Sequence, residues 1–167
     1  AYVKLARLSA ETFVRTHQFA GLPKDLPSEL LNQRAGAFVS IHEYGKLRGC
    51  IGTTEPTQQN LALEIIANAV SAATRDPRFP PVRPEELSSL VYKVDVLSPA
   101  EKIDSESERN TKKYGVIVEN GDQRGLLLPD LEGVDTVAQQ IAIAKQKANI
   151  APHEAVQLYR FTVTRHQ

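Results

Sequence analysis

The 167-residue chain contains no methionine, no tryptophan and a single cysteine. One cysteine cannot form an internal disulfide, which fits a reducing cytoplasm. Without a methionine, Ala1 is either a processed terminus or the start of an excised segment. No apolar run approaches the length of a membrane span, and the first residues lack the basic, apolar and small-residue order of a signal peptide. A cytoplasmic protein with no membrane partner is expected. Lys+Arg and Asp+Glu balance at 20 each, and aromatics, at 6%, are not interleaved with a basic stripe. Neither a global field nor a stacking platform therefore points to nucleic acid. Four scattered histidines and one cysteine give no paired ligand spacing, so no metal site is expected. There is no Gly-x-Gly-x-x-Gly and no Gly-Lys-Ser/Thr loop for a nucleotide phosphate, and the cofactor, if any, is unknown.

What is present is ordinary for a globular chain: 41% hydrophobic and 24% charged residues. That length suits a single domain over 1–167, or two packed halves, 1–103 and 104–167. Val3, Leu5, Leu8, Phe13 and Val14 have helical spacing, which predicts an amphipathic helix between Tyr2 and Phe19. Gly21-Leu22-Pro23 stops it, and a short helix begins at Pro27. Ala37 to His42 reads as a strand, Glu43-Tyr44-Gly45-Lys46 as a turn, and Leu47 to Ile51 as the return strand. Thr53-Thr54-Glu55-Pro56 then marks a helix start, and the Ala-rich helix runs to Asp76-Pro77. A stiff loop at Pro80 to Pro84 leads into Leu90 to Leu97, the clearest strand, with Leu90, Tyr92, Val94 and Val96 on one face. Asp104 to Lys113 is nearly devoid of apolar residues and is expected to be a solvated loop. Tyr114 to Glu119, an Asn120-Gly121 turn and Asp122 to Leu128 form a second hairpin. Asp135 is expected to cap a helix carrying Val137, Ile141, Ala144 and Ala148, and Val156 to Val163 is the last strand.

The two hairpins align. Gly45-Lys46-Leu47-Arg48-Gly49-Cys50 matches Gly121-Asp122-Gln123-Arg124-Gly125-Leu126 at an offset of 76 positions, from 45 to 121. Each copy is followed by a proline, a helix and a strand, so a duplicated hairpin-helix-strand unit is expected. The fold class is then α+β: a mainly antiparallel, curved sheet with flanking helices, in two closely packed subdomains.

The chemistry centres on Leu47-Arg48-Gly49-Cys50-Ile51-Gly52. Glycines inside a strand mark a bulge or a close approach, and Gly49 and Gly52 suggest access to the Cys50 thiol. A nucleophilic cysteine needs a cation, a helix N-terminus or a histidine base. Arg48 is the nearest cation in sequence, and the helix beginning near Pro56 offers a positive end. With a two-residue turn at Tyr44-Gly45, Val39 opposes Cys50, Ile41 opposes Arg48 and His42 opposes Leu47. Arg48 and Cys50 then share a face and His42 lies on the other, unless a bulge at Gly49 changes the faces. A base would come from His17, His153, Glu55 or Asp76, none placed by local spacing. The plainer reading makes Cys50 a small buried hydrophobe, and the repeat accommodates Leu126 at its equivalent position. Arg48, Arg78 and Arg124 each sit beside Gly or Pro, and their forks suit a small anion, or else an ion pair with Asp76, Glu55 or Glu119.

This motif, preceded by Gly36-Ala37-Phe38-Val39 and followed by Asp76-Pro77-Arg78-Phe79-Pro80-Pro81-Val82 and Arg124-Gly125-Leu126-Leu127-Leu128-Pro129, resembles the AMMECR1 domain family over nearly the whole chain. The resemblance implies a compact α+β domain with the six-residue motif at its site. It implies no settled reaction, but it does imply a pathway shared with Memo-like and radical SAM proteins. Two functional readings follow. One is an enzyme or enzyme component with Cys50 as nucleophile and Arg48 beside it in a cleft between the halves, with Gly49, Gly52, Arg78 and Arg124 binding a small anionic ligand. The other is a non-catalytic adaptor that docks through the same glycine-rich hairpin. If the motif is only a packing seam, substitution of Cys50 alters stability alone.

Overall fold

The computed structural model describes residues 1–103, 110–131 and 133–167. Most of the solvated loop expected from Asp104 onward lies outside the described residues. The chain divides into two compact units, the first comprising Ala1–Leu97 with Thr164–Gln167 and the second Ser98–Val163. Each holds a four-stranded sheet, so the expected single sheet is two, both antiparallel in every pairing described below.

In the first unit, α1 (Tyr2–Thr16) buries Leu5, Ala6, Ser9, Ala10 and Val14, while Leu8 is exposed. Leu5, Val14 and the small residues between them, not Leu8, face the core, and α1 ends where His17 turns left-handed. The short helix α2 (Ser28–Asn32) follows Pro27 and seats Leu30. β1 (Ala37–Glu43) and β2 (Lys46–Gly52) form the hairpin, with Tyr44 and Gly45 both at positive φ, as a two-residue type I′ turn requires. α3 (Leu61–Thr74) starts later than the Thr53-to-Pro56 signal suggests. The intervening chain is held by Glu64, whose buried carboxylate accepts from the Thr57 and Gln58 amides and from the Thr53 and Thr57 hydroxyls. The Asn60 side chain caps the helix at the Leu63 amide. A 3₁₀ turn over Pro84–Ser89, unsignalled in the sequence, leads to β3 (Leu90–Leu97).

In the second unit β4 (Glu101–Ile103) precedes β5 (Gly115–Asn120) and β6 (Gln123–Leu127). Asn120 pairs with Gln123, so the turn residues are Gly121 and Asp122, one place beyond the Asn-Gly expected. α4 (Val137–Lys147) is capped by Thr136 in a capping box with Gln139, not by Asp135. The final strand is two: β7 (Gln157–Phe161) joins the second sheet, and β8 (Val163–His166) joins the first.

The duplication is real in three dimensions. The sheets run β2-β1-β3-β8 and β6-β5-β7-β4, so each hairpin's first strand is flanked by its mate and by the strand following the helix. A Cβ on Gly49 would lie 2.1 Å from the Ala72 carbonyl oxygen, and one on Gly125 2.1 Å from that of Ala144. Each helix thus crosses its hairpin at backbone contact, which only glycine permits. Asn68, one turn before Ala72, donates to the Ala37 carbonyl at 2.8 Å, and Gln140, one turn before Ala144, donates to the Tyr114 carbonyl at 3.0 Å. Both amides are buried and satisfy the carbonyl at the start of the hairpin. Behind them, Val39, Ile41, Ile65, Tyr92 and Val94 pack the first core, and Val116, Val118, Leu127, Ile141 and Ile150 the second. Complete burial of each such aliphatic side chain contributes about 1.5–3 kcal/mol.

Candidate functional site

The hairpin register decides which side chains meet. His42 pairs with Leu47 and Glu43 with Lys46, as expected, but Ile41 then pairs with Gly49, Ser40 with Cys50 and Val39 with Ile51. Arg48 is the extra residue of a β-bulge, which moves every later residue of β2 by one place. The expected Val39–Cys50 pairing is therefore replaced by Ser40–Cys50, and the faces change with it. Ala37, Val39 and Ile41 point into the core, whereas Ser40 and His42 point to the other face. Cys50 lies on that second face, opposite Ser40, which is flanked on its far side by Lys93 of β3. His42, expected on the opposite face, is on the face of Cys50.

Cys50 is half-buried on an edge strand, and its outward backbone is covered by two side chains. The Cys50 amide donates to Asp76 Oδ2 at 3.0 Å, and Arg78 Nη2 reaches the Cys50 carbonyl at 3.4 Å. Asp76 and Arg78 stand where a further strand would stand. They are joined to each other through Arg78 Nε to Asp76 Oδ1 at 3.0 Å and Nη2 to Oδ2 at 2.8 Å. The arginine, opposed by burial and aided by the two backbone amides of Cys50 and Arg78, holds the Asp76 carboxyl well below the usual carboxylate range. Arg78 is raised in turn, first by Asp76, against burial, with the charge of Cys50 adding to it. The Arg78 guanidinium is thus electrostatically coupled to the thiol.

Arg48, the cation nearest in sequence, is committed elsewhere. Its Nε and Nη2 lie 3.2 and 3.0 Å from Glu86 Oε2, and its Nη1 donates to the Pro80 carbonyl at 2.8 Å. It fastens the bulge to the loop and the 3₁₀ turn. The space beside Gly49 is filled by Ala72, and a Cβ on Gly52 would meet the Phe38 ring. Neither glycine opens room at the thiol. Arg124, in the second unit, lies 3.9 Å from Glu119.

Sequence reasoning did not find Ser40, His42 and Lys93 as neighbours of the site. Burial, and then the positive Lys93, lower His42 below its ordinary value, so it is neutral at pH 7. Its Nδ1 is buried without a partner among the described residues. The signal that could have found these residues was the bulge permitted at Gly49. Among the described residues no group of three or more His, Cys, Asp or Glu could hold a metal, and no helix is long and apolar enough to cross a membrane.

The AMMECR1 family profile matches residues 3–166. This chain belongs to the AMMECR1 family. The AMMECR1 domain described here is 55% identical to a protein of Thermotoga maritima, over 99% of this chain and 97% of that one. It is 46% identical to a protein of Clostridium acetobutylicum over 99% of this chain but only 36% of that one, so it spans about a third of that relative. The crystal structure of an uncharacterised protein of Pyrococcus horikoshii superposes with a TM-score of 0.91 at 35% identity, covering 98% of this chain and 88% of that one. The α+β fold of the AMMECR1 domain is therefore shared with a solved structure.

Proposed function

We propose that this AMMECR1 domain is an enzyme or enzyme component in which Cys50 is a covalent nucleophile on the outer face of the first sheet. The observation that carries the reading is the Arg78 guanidinium, held by Asp76 against the Cys50 peptide and coupled by charge to its thiol. A cation so placed favours the thiolate, the nucleophilic form. Arg78 takes the activating role first given to Arg48, because its guanidinium reaches the Cys50 carbonyl at 3.4 Å whereas that of Arg48 is drawn to Glu86 and Pro80. His42, neutral and on the same face, is the base within reach. It is a diagonal neighbour of Cys50 across the hairpin, beyond the bulge at Arg48, close enough for a bridging water or substrate to join the two groups. Lys93 and Arg78 give this face two cations, which suits a small anionic substrate. Gly49 and Gly52 serve the site by fixing the strand, and Arg124, in the other copy of the repeat, is a further anion-binding candidate. The family resemblance supports a shared pathway with Memo-like and radical SAM proteins in the cytoplasm.

The adaptor reading rests on a different observation. Leu47 and Val91, on either side of His42, are 38% and 54% exposed, and Tyr44 at the hairpin tip is 84% exposed. This row of apolar groups suits a docked protein.

The rate of alkylation of Cys50 against pH, in native and denatured protein, separates the two, since no other thiol contributes. A fast native reaction with a midpoint well below the free-thiol value of about 8.5 supports the enzyme. No native reaction, with full labelling after unfolding, overturns it and leaves the adaptor.

A further inference from the structure

A row of polar side chains on the outer face of the first sheet is left without protein partners. Ser40 of β1 lies between Cys50 of β2 and Lys93 of β3, and His42 stands two residues along the same face. Among the described residues, none of Ser40, His42 and Lys93 makes a side-chain hydrogen bond or ion pair. The carboxylates around them are engaged elsewhere: Asp95, two residues beyond Lys93, accepts from Arg165 Nε at 2.8 Å, and Glu43, next to His42, accepts from Ser89 at 2.6 Å. All three side chains are half-buried, so each has lost part of its hydration. A group in that position is satisfied by ordered water or by a ligand.

Strand geometry sets the spacing of the row. Residues paired directly across antiparallel strands have Cα atoms about 4.5–5.5 Å apart, so Cys50 and Lys93 stand about 9–11 Å apart with Ser40 midway. Burial, and then the charge of Lys93, lower His42, which puts the ammonium within electrostatic reach of the row. An oxyanion above Ser40 meets this ammonium on one side and the hydroxyl beneath it, while its carbon frame reaches the Cys50 sulfur on the other side. Arg78, whose Nε and Nη2 are given to Asp76, acts on the thiol and leaves the anion to Lys93.

We infer that Lys93, with the Ser40 hydroxyl, seats the carboxylate of a small acid whose electrophilic carbon, next to that carboxylate, is attacked by Cys50. The inference rests on the reading of Cys50 as nucleophile and adds the substrate class to it. Attack forms a sulfur–carbon bond as the bond to the leaving group breaks, and the leaving group departs with that electron pair.

The test is alkylation of Cys50 by iodoacetate and by iodoacetamide, which differ by a carboxylate against a neutral amide and both release iodide. The quotient of the two rates in the native full chain, divided by that in the urea-denatured chain, cancels the intrinsic reactivities of the reagents. A native quotient about five-fold higher is expected, the factor that one charge at about 4 Å carries in water. Lys93→Met should remove most of that preference while changing the iodoacetamide rate little. Ser40→Ala should reduce it in part, and Lys46→Met, at an exposed position of β2, should leave it intact. Equal quotients in native and denatured chains, or a preference that survives Lys93→Met, overturn this inference alone, since Cys50 still reacts with iodoacetamide. Failure of both reagents on the native chain overturns the nucleophile reading itself, and this inference with it.

Discussion

The Asp76 carboxylate accepts the Cys50 amide at 3.0 Å across 26 positions of sequence. It closes the edge of β2 at the one cysteine of the sequence. Asp76 is 4% exposed, and its acceptors serve Cys50 and Arg78 together.

Asp76→Ala should lower stability by about 1.5–3 kcal/mol, the range for hydrogen bonds to a charged group. The same carboxylate makes stability pH-dependent. Its folded pKa is depressed, so its contribution is complete above the unfolded value of about 3.9 and is lost as pH falls through the folded value. Urea midpoints between pH 7 and pH 2 should fall more steeply below about pH 4 for the native chain than for Asp76→Asn.

The charge assignment at the thiol is tested by a pair of arginines. Arg78→Gln leaves Asp76 uncompensated beside Cys50 and should slow native alkylation by up to about ten-fold at neutral pH. Arg48→Gln should leave the rate nearly unchanged, since Arg48 is engaged with Glu86 and Pro80. Equal slowing by both would return the activating role to Arg48.

The crossing glycines offer a matched pair. Gly49→Ala and Gly125→Ala each place a methyl 2.1 Å from a helix carbonyl oxygen, where backbone must move. Each should cost at least about 1–3 kcal/mol, whereas Gly21→Ala, with open space around it, should lie within about 0.5 kcal/mol of the parent. Chemical denaturation of the three variants measures the difference.

The equivalent amides should differ in a predictable sense. Asn68 donates to both Ala37 O and Thr53 Oγ1, whereas Gln140 donates to Tyr114 O. Asn68→Leu should cost more than Gln140→Leu, by about 1 kcal/mol, one net hydrogen bond. Denaturant midpoints of the two variants at matched slope provide the comparison.

Most of the elements were legible in the residues. The alternation of Leu90 to Val96, the turn glycines at 45 and 121, and the matching Arg-Gly pairs at 48–49 and 124–125 fix two hairpins and their duplication. The Arg78–Asp76 and Arg124–Glu119 pairs were foreseeable because each joins near neighbours, in one chain segment or one hairpin. Helix starts were less legible. Thr53 and Asp135 are good capping residues, but buried Glu64 claims the Thr53 hydroxyl and the Thr136–Gln139 box claims the next turn.

By itself the sequence determined that Cys50 would sit in the return strand of a hairpin, between glycines, in the first half of a duplicated α+β domain. It did not determine which way the thiol points. A strand has a side-chain period of two, so the single extra residue at Arg48 moves Cys50 from one face to the other, onto that of His42. The close crossing of α3 at Gly49, and the loop that receives Arg48 at Pro80, exist only once distant segments have packed. Tertiary structure therefore chose Arg78 over Arg48 as the neighbour of the thiol, because side-chain partners are set by packing distance and not by separation along the chain.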